Sequence, residues 1–158
     1  WYVPNGPDAT EALRTAFFRL TDYPVEDGAH VPTEELKVPG GRTLQVPKSL
    51  KGVAVFSFRR LCGQPRGAAD YLTIARHFHT VIVVGIPRMG PENRNEAARF
   101  VTLIDALYEH KVKLLAAADA EPQDLYQAGD GIFEFERTAS RLIEMQSEAY
   151  LATGHGEE

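Results

Sequence analysis

Two arginines four residues apart are the clearest candidates for chemistry in this sequence. Arg137 and Arg141 lie in the stretch FERTASRLIEMQS, whose apolar spacing is typical of a helix. Side chains at this spacing share one helix face, where like charges repel, and the backbone dipole disfavours cations near a helix N-terminus. Because a guanidinium matches phosphate or carboxylate oxygens with paired hydrogen bonds, the pair indicates a clamp for an anion from outside the helix.

The same two arginines also fit an ordinary role in surface ion pairs. Glu134 precedes them, and Glu144 and Glu148 follow within one or two turns. Exposed pairs of this kind are common and contribute at most ~1 kcal/mol. The residues alone leave both interpretations open.

The motifs that hold nucleotides are absent from this chain. No G-x-x-x-x-G-K-[ST] loop occurs, and the apolar run VIVVGIP ends in Gly85, Ile86 and Pro87, where a Walker B strand would carry acidic residues for magnesium. A G-x-G-x-x-G dinucleotide pattern is also missing. The sequence therefore predicts no cofactor-binding residues here and no ATP hydrolysis by this chain alone.

Metal binding and nucleophilic catalysis are both disfavoured. His77 and His79 lie two residues apart, but no cysteine or clear third carboxylate ligand accompanies them, so capping and packing roles are expected. Ser57, Ser140 and Cys62 lack a G-x-S-x-G elbow or a local histidine partner. An independent small hydrolase is thus the weakest of the functions considered.

Composition places the chain among ordinary globular proteins. Its apolar share is 44%, its charged share is 25%, and its net charge is −5, which predicts no general attraction to nucleic acid or anionic membranes. A single cysteine suits a reducing compartment, and no apolar run approaches the roughly 20 residues of a membrane span. The opening WYVPNGP suggests an excerpt from a longer protein.

Local patterns in the first third predict a helix and then a small, largely antiparallel β element. PDATEALRTAFFRLTD has helical apolar spacing with Asp8 or Thr10 as the N-cap, and YPVEDGAHVP is rich in turn formers. Strands around a Pro-Gly-Gly turn follow, extending to Val53, Val55 and Phe58.

Helices and buried strands alternate through the remainder. PRGAADYLTIARHF and NEAARFVTLIDALYEHKV are predicted helices, HTVIVVGIP and VKLLAAADA are predicted strands, and a short helix starts at Pro122. IFEFE is a candidate strand, and residues 138–152 are predicted as the last helix. This order indicates a three-layer α/β fold with a parallel-sheet core of βαβ units. The expected divisions are 1–50 for the N-terminal helix and hairpin, 51–152 for the α/β lobe and 153–158 for a frayed tail.

Five separated blocks resemble the C-terminal half of the ZapE family in sequence and spacing. They are LC at 61–62, residues 69–87, residues 96–114, LY at 125–126 and residues 133–151. ZapE-like proteins are P-loop ATPases of the AAA+ class, with bacterial members in cell division and mitochondrial relatives in protein quality control. The likeness covers most of residues 50–152 and is weaker before them.

The resemblance implies a function for the arginine pair. In this family the Walker motifs lie in an N-terminal half, so ATP and Mg would belong to the full-length parent. Arg137 and Arg141 fall in the family's F-x-R-x-x-S-R-L block, which makes them candidates for an arginine finger or sensor at the γ-phosphate of their own or a neighbouring subunit. Implied partners are the N-terminal half, other subunits, and FtsZ or protein substrates. The implied location is the bacterial cytoplasm, peripheral to the inner membrane at the division site.

Two departures and one alternative accompany the resemblance. Where the family often has two arginines, residues 96–100 read EAARF, so Arg99 stands alone and is expected near Glu96 or Asp105. The family's Asp-x-Pro is replaced by Gly85-Ile86-Pro87, which removes any acidic role there.

The alternative is an interaction module whose arginines dock an acidic partner without touching nucleotide. If the chain is an excerpt, an apolar patch is expected where the nucleotide half docks.

Overall fold

The computed structural model describes residues 1–22 and 33–155, and it shows a central sheet between layers of helices. The strands are β1 Glu34–Val38, β2 Arg42–Val46, β3 Lys48–Leu50, β4 Val53–Ser57, β5 Thr80–Ile86 and β6 Lys113–Ala118. The helices are α1 Pro7–Thr21, α2 Phe58–Cys62, α3 Ala68–His77, α4 Arg94–Glu109, α5 Ile132–Glu144 and α6 Glu148–Leu151. Short 3-10 turns occupy Pro91–Asn93 and Pro122–Asp124.

Among the described residues, the central sheet has four strands in the order β3-β4-β5-β6. β3 pairs with β4 antiparallel, whereas β4, β5 and β6 are mutually parallel. Strands β4, β5 and β6 are joined through helices, as βαβ units require. The predicted α/β fold with a mainly parallel core is therefore confirmed.

Helix α1 covers one face of the sheet. Its buried side chains Leu13 and Phe17 join a cluster with Val53, Ile82 and Ala117 of the strands. The predicted cap is wrong: Gly6 is the N-cap, and Pro7 takes the first turn, where a missing N–H costs nothing. The loop predicted for residues 23–32 lies outside the described residues.

A separate two-stranded hairpin is formed by β1 and β2. Its turn contains Gly40 and Gly41, both at positive φ (86° and 73°), which confirms the Pro-Gly-Gly turn. The strand predicted to reach Phe58 is shorter, because Phe58 opens α2. The hydroxyl of Ser57 accepts a hydrogen bond from the Arg60 N–H (3.1 Å) and so caps that helix.

Helices α3, α4 and α5 cover the opposite face and enclose the larger core. Its fully buried members include Phe56, Tyr71, Phe100 and Leu107. None of the helices in the described part of the chain is both long and apolar enough to cross a membrane.

The last helices differ from the sequence prediction. IFEFE is not a strand, because α5 already begins at Ile132. The predicted single helix over 138–152 is interrupted after Glu144, and Ser147 caps the separate helix α6 by accepting from the Tyr150 N–H. The arginine pair therefore lies within α5 rather than at its start.

Candidate functional site

The candidate site is built on α5, which presents Arg137 and Arg141. One side of this helix is buried through Phe135, Thr138, Ala139 and Leu142, at the spacing of a single helical face. Phe135 stacks on Phe100 of α4 with ring centroids 5.9 Å apart. This packing fixes the position of α5. The side chains of Arg137 and Arg141 extend from it into different surroundings.

Arg141 is held by the neighbouring helix α4. Its guanidinium forms an ion pair with Asp105 and lies over the Tyr108 ring, 4.9 Å from the centroid. The predicted position of Arg141 near a helix N-terminus is wrong, because Arg141 lies in the last turn of α5, where the backbone dipole favours a cation. Its partner is Asp105 rather than the predicted Glu134, Glu144 or Glu148.

Tyr108 connects Arg141 to helix α6. Its ring stacks on Tyr150 of α6 (5.9 Å, 13° between planes), and Lys113 lies over the other ring, with Nζ 5.2 Å from its centroid. A hydrogen bond to Glu144, together with burial, raises the pKa of Tyr108. We call Arg141, Tyr108, Tyr150 and Lys113 the Tyr108 stack; it joins α4, α5, α6 and β6.

Arg137 is exposed on the solvent side of α5. Within the parts of the chain that the structure describes, no hydrogen bond or ion pair holds its guanidinium. Phe133, one turn earlier on the same side, is 82% exposed, which is unusual for a large apolar side chain. Arg137 is thus free to reach an anion or an acidic surface from outside this chain.

The two histidines considered for metal binding point to different partners. His77 Nε2 contacts the Glu34 carboxylate at 2.7 Å, while His79 contacts the Thr80 hydroxyl and the Lys51 carbonyl, both at 2.8 Å. Among the described residues, no group of three His, Cys, Asp or Glu side chains is placed to hold a metal ion. His77 therefore links the end of α3 to β1, and His79 links the start of β5 to the turn between β3 and β4.

Cys62 belongs to a buried cluster at the end of α2 rather than to a reactive site. Three side-chain donors serve consecutive carbonyls there: Arg66 bonds to Arg60 (2.9 Å), the Tyr71 hydroxyl to Leu61 (2.7 Å), and Arg99 to Cys62 (3.0 Å). Burial raises the pKa of the Cys62 thiol to about 12. The prediction that placed Arg99 with Glu96 or Asp105 is wrong, because its Nη1 caps α2 instead.

The remaining nucleophile candidates also make local contacts. Ser57 caps α2, and the Ser140 hydroxyl donates to the Glu136 carbonyl one turn earlier in α5 (3.3 Å). Sequence reasoning missed Asp105 and Tyr108 as partners of Arg141. Their only signal is that they lie one turn apart on a predicted helix, which does not say which arginine they meet.

The fold and the site define a class of protein: a three-layer α/β domain that displays an exposed arginine, unpaired within the described residues, on an outer helix. Comparison of the sequence with known families places it more narrowly. The chain belongs to the AFG1-like ATPase family, whose family model matches residues 1–154.

Curated relatives agree with this assignment. The chain is 33% identical over 190 residues to lactation elevated protein 1 homolog B of Danio rerio, covering 98% of this chain and 36% of that protein. It is 43% identical over 99 residues to the cell division protein ZapE of Escherichia coli K12, covering 63% of this chain and 26% of ZapE. An uncharacterized protein of Schizosaccharomyces pombe, C115.02c, is 32% identical over 178 residues, covering 95% of this chain and 38% of that protein.

The chain spans about a quarter to two fifths of the length of these relatives. No solved structure matches it. The similarity therefore supports a region of an ATPase, and the activity of the whole protein is a matter for proposal.

Proposed function

We propose that this chain is the C-terminal region of an AFG1-like ATPase and that Arg137 acts there as an arginine finger on the nucleotide of a neighbouring subunit. The observation that carries the proposal is the contrast between the two arginines. Arg141 is engaged by Asp105 and Tyr108, whereas Arg137 is exposed and unpaired among the described residues.

The proposed chemistry concerns ATP hydrolysis in the full-length protein. As the bond to the γ-phosphate breaks, negative charge develops on phosphoryl oxygens, and a guanidinium placed there stabilises that charge. Arg141 has a positioning role, since the Tyr108 stack fixes the helix on which Arg137 stands.

The described residues do not fit a magnesium site. Strand β5 ends in Gly85 and Ile86, and no group of three His, Cys, Asp or Glu side chains within residues 1–22 and 33–155 is placed to hold a metal ion. We assign ATP and magnesium binding to the other part of the parent protein. This region supplies the guanidinium and contacts between subunits.

Full-length protein tests the assignment directly. Arg137→Ala should lower ATP turnover by about 10³-fold or more with nucleotide still bound, as loss of an arginine finger does. Arg76→Ala is the matched control, because Arg76 is also an exposed helical arginine but lies on α3. Unchanged turnover in Arg137→Ala would exclude the arginine-finger role.

Action between subunits has its own test. Arg137→Ala subunits keep a nucleotide site but lack the finger, and subunits with a disabled nucleotide site keep the finger. If the finger acts on a neighbour, mixing the two variants should restore part of the turnover that each lacks alone. If the finger serves its own subunit, the mixture should stay as inactive as its components.

A second candidate function is docking of an acidic protein partner, and the exposure of Phe133 favours it. An apolar ring beside a free cation is a common pairing at protein interfaces, where aromatic residues and arginine are enriched. The ZapE relative is named as a cell division protein. We propose FtsZ as the partner of this surface and the cytoplasmic side of the inner membrane as the setting. Loss of partner binding in Phe133→Ser and Arg137→Glu, with turnover unchanged, would support this function over the first.

A further inference from the structure

The outer edge of β6 is only partly paired. Tyr2 forms a parallel bridge to Ala117: the Tyr2 N–H donates to the Ala116 carbonyl (2.8 Å) and the Ala118 N–H donates to the Tyr2 carbonyl (2.9 Å). In a parallel ladder, groups that face one neighbour recur every second residue. The Leu114 carbonyl and the Ala116 N–H therefore face the same edge as these two bonds, and among the described residues no hydrogen bond reaches either group.

A trough of about 530 Å³ runs beside this unpaired stretch. Its floor is the edge of β6, one wall is the end of α1, and the other wall is the junction of α5 with α6. Most of the side chains that line it are apolar: Trp1, Tyr2, Ala16, Leu20, Leu114, Leu115, Met145 and Leu151. An apolar trough along an unpaired strand edge has the features of a binding site for one more strand.

The register at Tyr2 decides which strand fits. Because Tyr2 lies opposite Ala117 and runs parallel to β6, a residue directly before Trp1 would lie opposite Leu115. Its N–H would donate to the Leu114 carbonyl, and its carbonyl would accept from the Ala116 N–H. A chain that enters along this path would lie in the trough from its first paired residue.

We propose that the trough holds a fifth strand, parallel to β6 and formed by the residues directly upstream of Trp1 in the full-length protein. The relatives are long enough to provide such a segment, since this chain covers only 38%, 36% and 26% of them. Met145 and Gln146 in the trough wall directly follow α5. The strand thus contacts the end of the helix that carries Arg137 and connects the rest of the ATPase to it.

Selective ¹⁵N-alanine labelling of the full-length protein tests the pairing. The Ala116 N–H faces the outer edge of β6, whereas the Ala117 N–H faces β5 and serves as an internal control. With the fifth strand in place, hydrogen exchange at Ala116 is slowed to a rate similar to that at Ala118, about tenfold or more below an open edge. Rapid exchange at Ala116 in the full-length protein would overturn the proposal.

Two proline variants identify the occupant. Proline directly before Trp1 removes the donor to Leu114 and so destabilises the pairing of the residue whose carbonyl accepts from the Ala116 N–H. Exchange at Ala116 should therefore accelerate about tenfold or more while Ala117 is unaffected. Proline one residue further upstream removes an N–H that faces away from β6, and it should leave Ala116 protected. If the proline directly before Trp1 leaves Ala116 protected from exchange, and this protection increases with protein concentration, a second copy occupies the trough. That result would also overturn the proposal. Neither outcome depends on the role of Arg137.

Discussion

Asp105 on α4 and Arg141 on α5 form an ion pair across 36 residues of sequence. The guanidinium also covers the Tyr108 ring one turn further along α4. A single arginine thus joins two helices through charge and through stacking, and this relationship separates its role from that of Arg137.

Removal of the Asp105 charge should destabilise the fold. Both side chains are partly exposed, so we expect Asp105→Asn to lower the free energy of unfolding by about 1–2 kcal/mol, between the values of exposed and buried pairs. Urea denaturation measures this change. Glu109→Gln, on an exposed residue of the same helix, is the control and should change stability by less than about 0.5 kcal/mol. Equal effects of the two changes would contradict a specific pair.

Substitution of Arg141 should mainly lower stability, whereas substitution of Arg137 should mainly lower ATP turnover. Arg141→Ala removes an ion pair and a cation–π contact, and it should lower the melting temperature of the protein. Arg137→Ala removes no contact among the described residues, and it should leave stability within about 0.5 kcal/mol while turnover falls. Thermal unfolding and ATP turnover of the same preparations check both statements. A folded Arg137→Ala protein with full ATP turnover would contradict this difference between the two arginines.

The Tyr71 hydroxyl should contribute more to stability than a surface phenol. It is buried and donates to the Leu61 carbonyl at 2.7 Å, so Tyr71→Phe leaves that carbonyl without its side-chain donor. We expect a loss of about 1–3 kcal/mol in the free energy of unfolding. Tyr2→Phe is the control, because Tyr2 is 39% exposed. A neutral Tyr71→Phe would show that the hydrogen bond adds nothing.

Alkaline pH should destabilise the protein through Cys62. Burial raises the pKa of its thiol from 9.0 to about 12, so above pH 9 the unfolded chain loses a proton that the folded chain keeps. The unfolded state then binds fewer protons, and stability falls as pH rises from about 9 towards 12. Burial also raises the pKa of Tyr71 and Tyr150, which adds to the decline at higher pH.

A comparison of stability at pH 8 and pH 10 checks this expectation. Cys62→Ala should show a shallower decline than the unaltered protein, whatever its stability at pH 8. The native thiol should also react slowly with a thiol reagent until the protein unfolds. Parallel declines in the two proteins would exclude Cys62 as the source.

Sequence patterns predicted much of the fold but failed at α5. IFEFE alternates apolar and charged residues, which is typical of a strand, yet the segment is helical and buries Phe135 while it exposes Phe133. Packing of Phe135 against Phe100 and Tyr126 outweighs the local alternation. A short pattern of this length cannot include contacts that form 35 residues away.

The two candidate arginines could be chosen from the sequence, but the contacts of each could not. The spacing of Arg137 and Arg141, and their resemblance to a family block, made both residues candidates from the sequence alone. Which of the two is free depends on Asp105 and Tyr108, and helix spacing within α5 says nothing about a residue on α4. The prediction that the helix dipole opposes both cations was wrong because it relied on a helix start several residues too late.

By itself, the sequence determined the order of the central strands and long helices, the Pro-Gly-Gly hairpin turn and the ATPase family. These properties depend on local apolar periodicity, on glycine's access to positive φ and on the similarity of residue blocks. Only the tertiary structure decided that Arg141 is paired, that Arg137 is exposed, and that the edge of β6 ends in an open trough. Such features arise when distant segments are brought together, because a side chain's partner and a strand's free edge depend on what packs beside them.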